Sequence, residues 1–131
     1  MNVTQKLEEF MLAIEGLCAI FVTDYDGGIV LQVGDVPRFK PVLIGGHLNV
    51  VAQIPKLLMG EHESSYFQFE YFQLVVHSID KYFFFTLAGN NTPAGALFNI
   101  RDQLSPFSQY LMKICPPVER TYDDEEDGRI L

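Results

Sequence analysis

The spacing of hydrophobic and polar residues along the chain predicts a series of helices and strands that begins with a helix. Apolar residues recur every three or four positions from Val3 to Ile14, as on the buried face of a helix. Asn2 stands before this stretch and Gln5 three positions later, which is the spacing of a capping box. Gly16 is a typical residue after a helix C-terminus, so the first helix is predicted to end near it.

The next segments predict a hairpin of two strands. Residues Leu17–Thr23 form a continuous apolar run that is too short for a buried helix and fits a strand covered on both faces. Asp24–Gly28 contains the residues of a tight turn, and Ile29–Val33 is predicted to be the return strand. A loop is predicted from Gly34 to Pro41.

A second helix is predicted over residues 42–59. Its apolar stripe consists of Ile44, Leu48, Val51, Ala52 and Leu58. The adjacent Gly45 and Gly46 lower its intrinsic helix propensity. Pro55 has no backbone N–H to donate to the carbonyl of Val51, so a kink or break is predicted there.

Three further strands are predicted after this helix. They cover Ser64–Glu70, Phe72–Ile79 and Tyr82–Ala88, and the last is again continuously apolar. The first of them alternates. Phe67 and Phe69 occupy one face, whereas Tyr66, Gln68 and Glu70 occupy the other.

The C-terminal part predicts a long amphipathic helix. Thr92 is the predicted N-cap, with Pro93 at the first helical position. Pro106 interrupts the hydrogen-bond ladder and should bend the helix near Asp102, and Pro116–Pro117 should end it. The apolar stripe consists of Leu97, Ile100, Leu104, Phe107, Leu111 and Ile114.

The order α-β-β-α-β-β-β-α predicts an α/β (α+β) sandwich. The first and last strands are the ones that are apolar on both faces, which places them side by side in the centre of the sheet. Short connections then predict the spatial order 2-1-5-4-3. The middle helix must cross one face of the sheet, and the two terminal helices are left for the other face.

The third strand is predicted to be an edge strand that needs a partner. It is aromatic and lacks the lysine, proline or bulge that usually protects an exposed edge. A second copy of the same fold, placed edge to edge with the two middle helices side by side, is the simplest cover. We interpret Phe67 and Phe69 as core residues. The candidate partner-binding residues are Leu48, Val51, Ala52, Pro55, Tyr66, Gln68, Glu70 and Tyr71.

Charge changes the picture by excluding some partners. The 131 residues carry a formal net charge of −8, which argues against nucleic acid and against direct binding to an anionic membrane. We predict one domain over residues 1–115 and a disordered tail over residues 116–131. The tail holds the acidic run Asp123–Asp127, and either a solvated extension or a docking peptide for a basic surface fits that run.

The two cysteines and the chain ends predict a cytoplasmic protein. Cys18 and Cys115 stand in apolar surroundings and form no paired motif, so buried, reduced thiols are expected, with a disulfide as the alternative. No signal peptide, membrane span or lipidation motif is recognised. Any membrane association should therefore come from another protein.

The sequence contains no recognisable catalytic, cofactor-binding or metal-binding constellation. The Asp24–Gly27 segment lacks the remaining ligands of a calcium loop, and the glycine pairs lack the lysine of a phosphate loop. His47, His62 and His77 stand alone, without a second ligand at a usable spacing. We therefore predict that the chain is not an enzyme and has no cofactor.

Four segments resemble the roadblock/dynein light chain family, and within it the kinase-scaffold subunits of Ragulator-type complexes. They are Glu15–Gly27, Tyr71–Val76, Asn91–Gly95 and Gln103–Phe107, and the resemblance extends over residues 3–115. The first segment is general for the family. The combination with the other three is more specific.

The resemblance implies a five-stranded antiparallel sheet and a heterodimer with another roadblock subunit. It further implies other Ragulator subunits and Rag GTPases as partners, and a link to kinases of the mitogen-activated cascade. The expected location is the cytosolic face of late endosomes or lysosomes, where a lipidated sister subunit attaches the complex to the membrane. The complex is expected to act in signalling to TOR.

Two other functions stay open at this point. One is a homodimeric roadblock adaptor for a motor or a small GTPase. The other is a sensor that binds a small molecule on the sheet, although no converging polar residues indicate a pocket.

Overall fold

The computed structural model describes residues 2–53 and 63–114. It contains four helices and five strands within these ranges. In chain order they are α1 (Val3–Leu12), β1 (Leu17–Asp24), β2 (Ile29–Gly34), α2 (Lys40–Gln53), β3 (Ser64–Gln68), β4 (Gln73–Ile79), β5 (Tyr82–Ala88), α3 (Ala94–Asn99) and α4 (Arg101–Ile114). The predictions made for Pro55, Leu58, His62, Cys115, Pro116–Pro117 and the acidic tail lie outside the described residues.

The five strands form one antiparallel sheet in the predicted order β2-β1-β5-β4-β3. The two continuously apolar strands, β1 and β5, lie side by side as expected. Strand β4 is also buried along its whole length, which the sequence did not indicate. The reason is that the polar side chains of Gln73, His77 and Ser78 have internal hydrogen-bond partners.

Alternate residues of the central strands enter two separate cores, one on each face of the sheet. On one face, Ile20, Val22 and Phe84 pack against α1, α3 and α4. On the other face, Phe21 and Phe85 stack with their ring centroids 4.7 Å apart beneath α2. The predicted sandwich, with one helix on one face and the terminal helices on the other, is therefore confirmed.

Helix α1 begins as predicted and ends earlier. The side chain of Asn2 accepts a hydrogen bond from the backbone N–H of Gln5 at 2.8 Å. The last helical residue is Leu12, so the helix stops before Gly16. Gly16 has a φ of 86° and turns the chain into β1, a conformation that glycine adopts without strain.

The long C-terminal helix differs from its prediction in two ways. Thr92 is not the N-cap. Its side chain is buried and its hydroxyl lies 3.5 Å from the carbonyl of Glu15, while Pro93 precedes α3 without a side-chain cap. The chain also breaks at Ile100, whose carbonyl accepts the first bonds of α4, rather than bending near Asp102. Pro106 lies inside α4 and does not end it.

Cys18 is exposed, which corrects the prediction of a buried thiol. It lies in β1 where the pairing with β5 shifts register between Leu17 and Ala19. Its Sγ contacts the carbonyl oxygen of Gly16 at 3.5 Å. Because the shift is a property of the strand pairing, the apolar neighbours in the sequence could not reveal this exposure.

The carboxylate of Asp24 accepts backbone hydrogen bonds in the turn between β1 and β2. Oδ1 of Asp24 accepts hydrogen bonds from the N–H groups of Asp26 at 3.0 Å and Gly28 at 2.9 Å. Gly27 has a φ of 91°. The segment is therefore an Asx-type turn, in agreement with the turn predicted there.

Gly34→Ala is expected to lower the free energy of unfolding by about 2–4 kcal/mol. Gly34 has a φ of 83°, and a Cβ there would clash with the carbonyl oxygen of Cys18 and lie 2.6 Å from Sδ of Met11. Urea denaturation measures the change. Gly95→Ala is the control, because a Cβ on Gly95 meets nothing within 4 Å. Equal stability of the two variants would contradict this account of Gly34.

Candidate partner-binding surface

Strand β3 is an edge of the sheet, and three of its residues direct their backbone groups outward. Within residues 2–53 and 63–114, it pairs with β4 and with no other strand. The N–H of Phe69 bonds to the carbonyl of Phe72, and hydrogen-bonded pairs alternate along an antiparallel ladder. It follows that the N–H and C=O groups of Ser64, Tyr66 and Gln68 point away from β4. These groups are available to a further strand.

The side chain of Tyr66 ties the middle of this edge to the molecule. Its hydroxyl donates to Oε1 of Gln73 at 2.9 Å, and its ring lies 6.0 Å from that of Phe98. Nε2 of Gln73 donates in turn to the carbonyl of Gly89 at 2.9 Å. Tyr66 is nevertheless 38% exposed, so the same residue supports the edge and offers an aromatic surface.

An aromatic corner extends the edge at the turn between β3 and β4. Tyr71 is 81% exposed. Phe69 stacks on Phe72 with ring centroids 4.6 Å apart, and Phe72 contacts Phe39 before α2 at 5.6 Å. The amide of Asn90 donates to the carbonyls at the turn and fixes its path. The corner therefore links the edge strand to the start of α2.

Helix α2 has a buried face and an uncharged outer face. Leu43, Ile44 and His47 point into the core, where the His47 ring meets the edge of Phe83 at 4.7 Å. Lys40 is the charged residue of the helix, and its amine donates to the side chain of Gln32. The outer face consists of Val42, Gly45, Gly46, Asn49 and Val50.

This outer face is apolar and open. Val42 is 73% exposed and Val50 is 45% exposed. A Cβ built on Gly45 or Gly46 meets nothing within 4 Å, so the fold of the single chain does not require glycine at either position. Two glycines in the middle of a helix cost stability, which is understandable if another backbone approaches them closely.

The predicted partner-binding residues fall into two groups on opposite faces of the sheet. Leu48 and Val51 are half-buried against the α2 core and Ala52 is exposed beside them. Tyr66 and Gln68 turn to the face that carries α3. The exposed turn residues Glu70 and Tyr71 lie at the end of β3, and Pro55 lies outside the described residues. The β3 edge is the feature that joins the two groups.

The exposed residues Val42, Val50 and Phe39 were missed from the sequence. The apolar stripe predicts the buried side of the helix alone, and Leu48 and Val51 belong largely to that side. The spacing of Val42, Gly46 and Asn49 on the opposite side was the available signal, since it predicts a small and uncharged outer stripe.

Three further features of the described residues bear on the kind of site they can form. Within residues 2–53 and 63–114, no group of three His, Cys, Asp or Glu side chains is arranged to hold a metal ion. None of the described helices is long and apolar enough to cross a bilayer. A groove of about 220 Å³ between α1 and α4 is mostly apolar, lined by Val3, Lys6, Pro106, Phe107 and Tyr110.

Solved structures similar to this one share its fold at low sequence identity. The Roadblock/LC7 domain from Streptomyces avermitilis has a TM-score of 0.66 at 16% identity, covering 84% of this chain and 95% of that domain. Myxococcus xanthus MglB has a TM-score of 0.64 at 15% identity, covering 83% and 96%. Profilin from Schizosaccharomyces pombe has a TM-score of 0.60 at 12% identity, covering 87% and 99%.

Sequence comparison is more specific than these structural likenesses. No curated protein sequence matches the chain significantly. The sequence profile of the family described as "Mitogen-activated protein kinase kinase 1 interacting" matches residues 1–115. The chain therefore has a roadblock fold and resembles the kinase-scaffold subunit known as the MEK partner. It belongs to the mitogen-activated protein kinase kinase 1 interacting family.

Proposed function

We propose that this protein is a non-catalytic scaffold subunit that pairs with a different roadblock-fold protein through β3 and the outer face of α2. The observation that carries the proposal is the junction of a free sheet edge with an uncharged, exposed helix face. Each feature alone would be unfavourable in water, and a single partner of the same architecture covers both.

The geometry suggests how the pairing is made. A partner strand antiparallel to β3 would accept and donate hydrogen bonds at Ser64, Tyr66 and Gln68, so that one sheet runs through both subunits. The partner's equivalent helix would lie beside α2 and approach its backbone at Gly46. The aromatic corner with Tyr71 would form the rim of this interface.

Charge favours a different partner over a second copy. Each chain has a formal net charge of −8, so two copies would repel each other as a whole. The surface formed by β3 and α2 is nearly uncharged and offers no opposite charges to offset this repulsion. A less acidic roadblock subunit would therefore bind with an electrostatic advantage.

The family description supports a role in assembling kinases of the mitogen-activated cascade. We extend the proposal to a Ragulator-like complex that anchors Rag GTPases for signalling to TOR at the cytosolic face of late endosomes or lysosomes. A lipidated sister subunit would supply the membrane attachment. In this arrangement the chain contributes binding surfaces and no chemistry.

Co-expression with a Ragulator roadblock subunit, followed by size-exclusion chromatography with light scattering, tests the pairing. We expect one complex with one copy of each chain. Amide exchange measured by NMR should show new protection at Ser64, Tyr66 and Gln68 on binding, with little change at Ser65 and Phe67. A chain that stays monomeric in the mixture, or that forms a stable homodimer and ignores the other subunit, would contradict the proposal.

A further inference from the structure

The first residue of β3 is held by an arginine at the start of α4. Nη1 of Arg101, the first residue of α4, donates to the carbonyl of Glu63 at 2.5 Å and lies 3.4 Å from Oγ of Ser64. Its Nη2 donates to the carbonyl of Ser78 at 2.6 Å. One planar guanidinium thus joins the start of the edge strand to the end of β4, a geometry that a lysine ammonium cannot reproduce.

A buried histidine completes the attachment. The ring of His77 is inaccessible to solvent, with Nδ1 2.7 Å from Oγ of Ser64 and Nε2 2.9 Å from the carbonyl oxygen of Leu97. A carbonyl oxygen can only accept, so Nε2 carries the proton and Nδ1 accepts from the serine hydroxyl. The hydrogen bonds therefore run in one direction, from Arg101 through Ser64 and His77 to α3.

This strand is the least buried of the sheet. Among the five strands of the described residues, β3 is the one that contains no buried residue. Its position depends on the ladder to β4, on the contacts of Tyr66 and Phe67, and on the chain of hydrogen bonds through Ser64. An edge that must accept a partner strand has to be held in register before binding.

We propose that Arg101 and His77 are positioning residues for the partner-binding edge, and that proton uptake at His77 loosens that edge. This inference rests on the proposed function, since it assigns β3 to partner binding. The two side chains touch no partner. They act by holding Ser64 and the preceding carbonyl in place.

The hydrogen bonds of the His77 ring do not favour a positive charge, because Nδ1 accepts from Ser64, whose hydroxyl also lies beside the cation of Arg101. Strands β3 and β5 contribute the phenols of Tyr66 and Tyr82 on the same face of the sheet. Helix α3 contains no ionisable residue, and α4 contributes the cation of Arg101. Glu63, just before β3, and Asp102, in the first turn of α4, carry exposed carboxylates. A protonated ring would place two cations at one serine hydroxyl.

The direction of the pH effect follows from this arrangement. In the closed edge the ring is neutral, whereas an opened, solvated histidine gains a proton near its ordinary pKa of about 6.5. The attachment is therefore at full strength above that pH, and opening becomes easier as the pH falls below it. Between about pH 7.5 and about pH 5.5, the opened population should rise roughly tenfold.

Amide protection factors of Ser65 and Phe67 in the isolated chain test the positioning role without any partner. Arg101→Gln should lower them roughly tenfold while the β5 amide of Phe85 is unaffected. Lys113→Gln removes the same charge from the exposed end of α4 and should change the protection of neither the β3 amides nor the Phe85 amide. Equal loss of protection at Phe67 and Phe85 in Arg101→Gln would reduce the arginine to a general structural role and overturn the inference.

Two substitutions at His77 separate proton uptake from packing. His77→Gln keeps a donor and an acceptor but cannot titrate, so β3 protection and partner Kd should match the wild type near pH 7.5 and show no roughly tenfold loss near pH 5.5. His77→Leu should lose protection at both pH values. Wild-type β3 protection that is independent of pH would overturn the proton-uptake part. A wild-type chain with the expected protection and no partner affinity would instead refute the proposed function.

Discussion

Gly46→Ala is expected to stabilise the isolated chain and to weaken partner binding, two effects of opposite sign from one methyl group. Alanine is about 1 kcal/mol better than glycine inside a helix, and a Cβ at this position meets nothing within 4 Å. If a partner backbone approaches α2 here, the added methyl overpacks the contact at a cost of about 1–3 kcal/mol. The partner Kd would then rise about 5- to 150-fold.

Thermal denaturation of the single chain and titration calorimetry with the partner measure the two effects. Gly95→Ala in α3 is the matched control. It makes the same change with the same free space in a helix on the opposite face of the sheet from α2, so it should stabilise the chain and leave the Kd unchanged. A Gly46→Ala variant that binds its partner as tightly as the wild type would show that no close helix contact forms at Gly46.

Gln68→Pro is expected to weaken partner binding about 5- to 150-fold with a much smaller effect on the fold. The N–H of Gln68 points away from β4, so the sheet of the single chain loses no ladder hydrogen bond. A partner carbonyl that depends on this N–H would be left buried without a donor, which costs about 1–3 kcal/mol. Proline at an exposed edge is also a natural block to strand addition.

Gln68→Ala is the control for the lost side chain, since it keeps the backbone N–H. The Kd of the alanine variant should stay close to that of the wild type, whereas the Kd of the proline variant should be higher than both. Circular dichroism and the urea midpoint establish that each variant is folded. Indistinguishable Kd values for alanine and proline would argue against strand pairing at β3 and leave α2 as the binding element.

The sheet topology could be predicted from the sequence because the pattern of apolar residues shows which strands are buried on both faces. Leu17–Thr23 and Tyr82–Ala88 are apolar at nearly every position, and only central strands are covered on both faces. The short connections then left little freedom in the strand order. The start of α1 at Asn2 was readable for a similar reason, since a cap is a local interaction.

Features that depend on distant contacts could not be predicted. Thr92 has the sequence position of a helix cap, but its hydroxyl is directed to the carbonyl of Glu15, far away in the chain. The buried polar residues of β4 look like surface residues until their partners are known. Ser64 and His77 are an example, because their hydrogen bond exists only once β3 and β4 are paired.

The edge position of β3 could be predicted from the sequence, and its use as an interface stays a prediction. The aromatic edge at Tyr66 was recognised, and the role of every proposed contact residue stays a prediction. On α2, the hydrophobicity of Leu48 and Val51 favours them as contact residues, but it also places them mainly against the core. The exposed Val42 lies on a helix face of small and uncharged residues, and hydrophobic periodicity alone does not single out such a face.

The central pairing of β1 with β5 has a consequence for synthesis of the chain. These two neighbours are far apart in the sequence, so the central strand pair of the sheet cannot form until residue 88 has left the ribosome. Until then β1 and the hairpin it forms with β2 have apolar residues on both sides without cover, and chaperones bind such surfaces. High contact order of this kind slows folding, so the nascent subunit cannot complete its sheet before β5 is available.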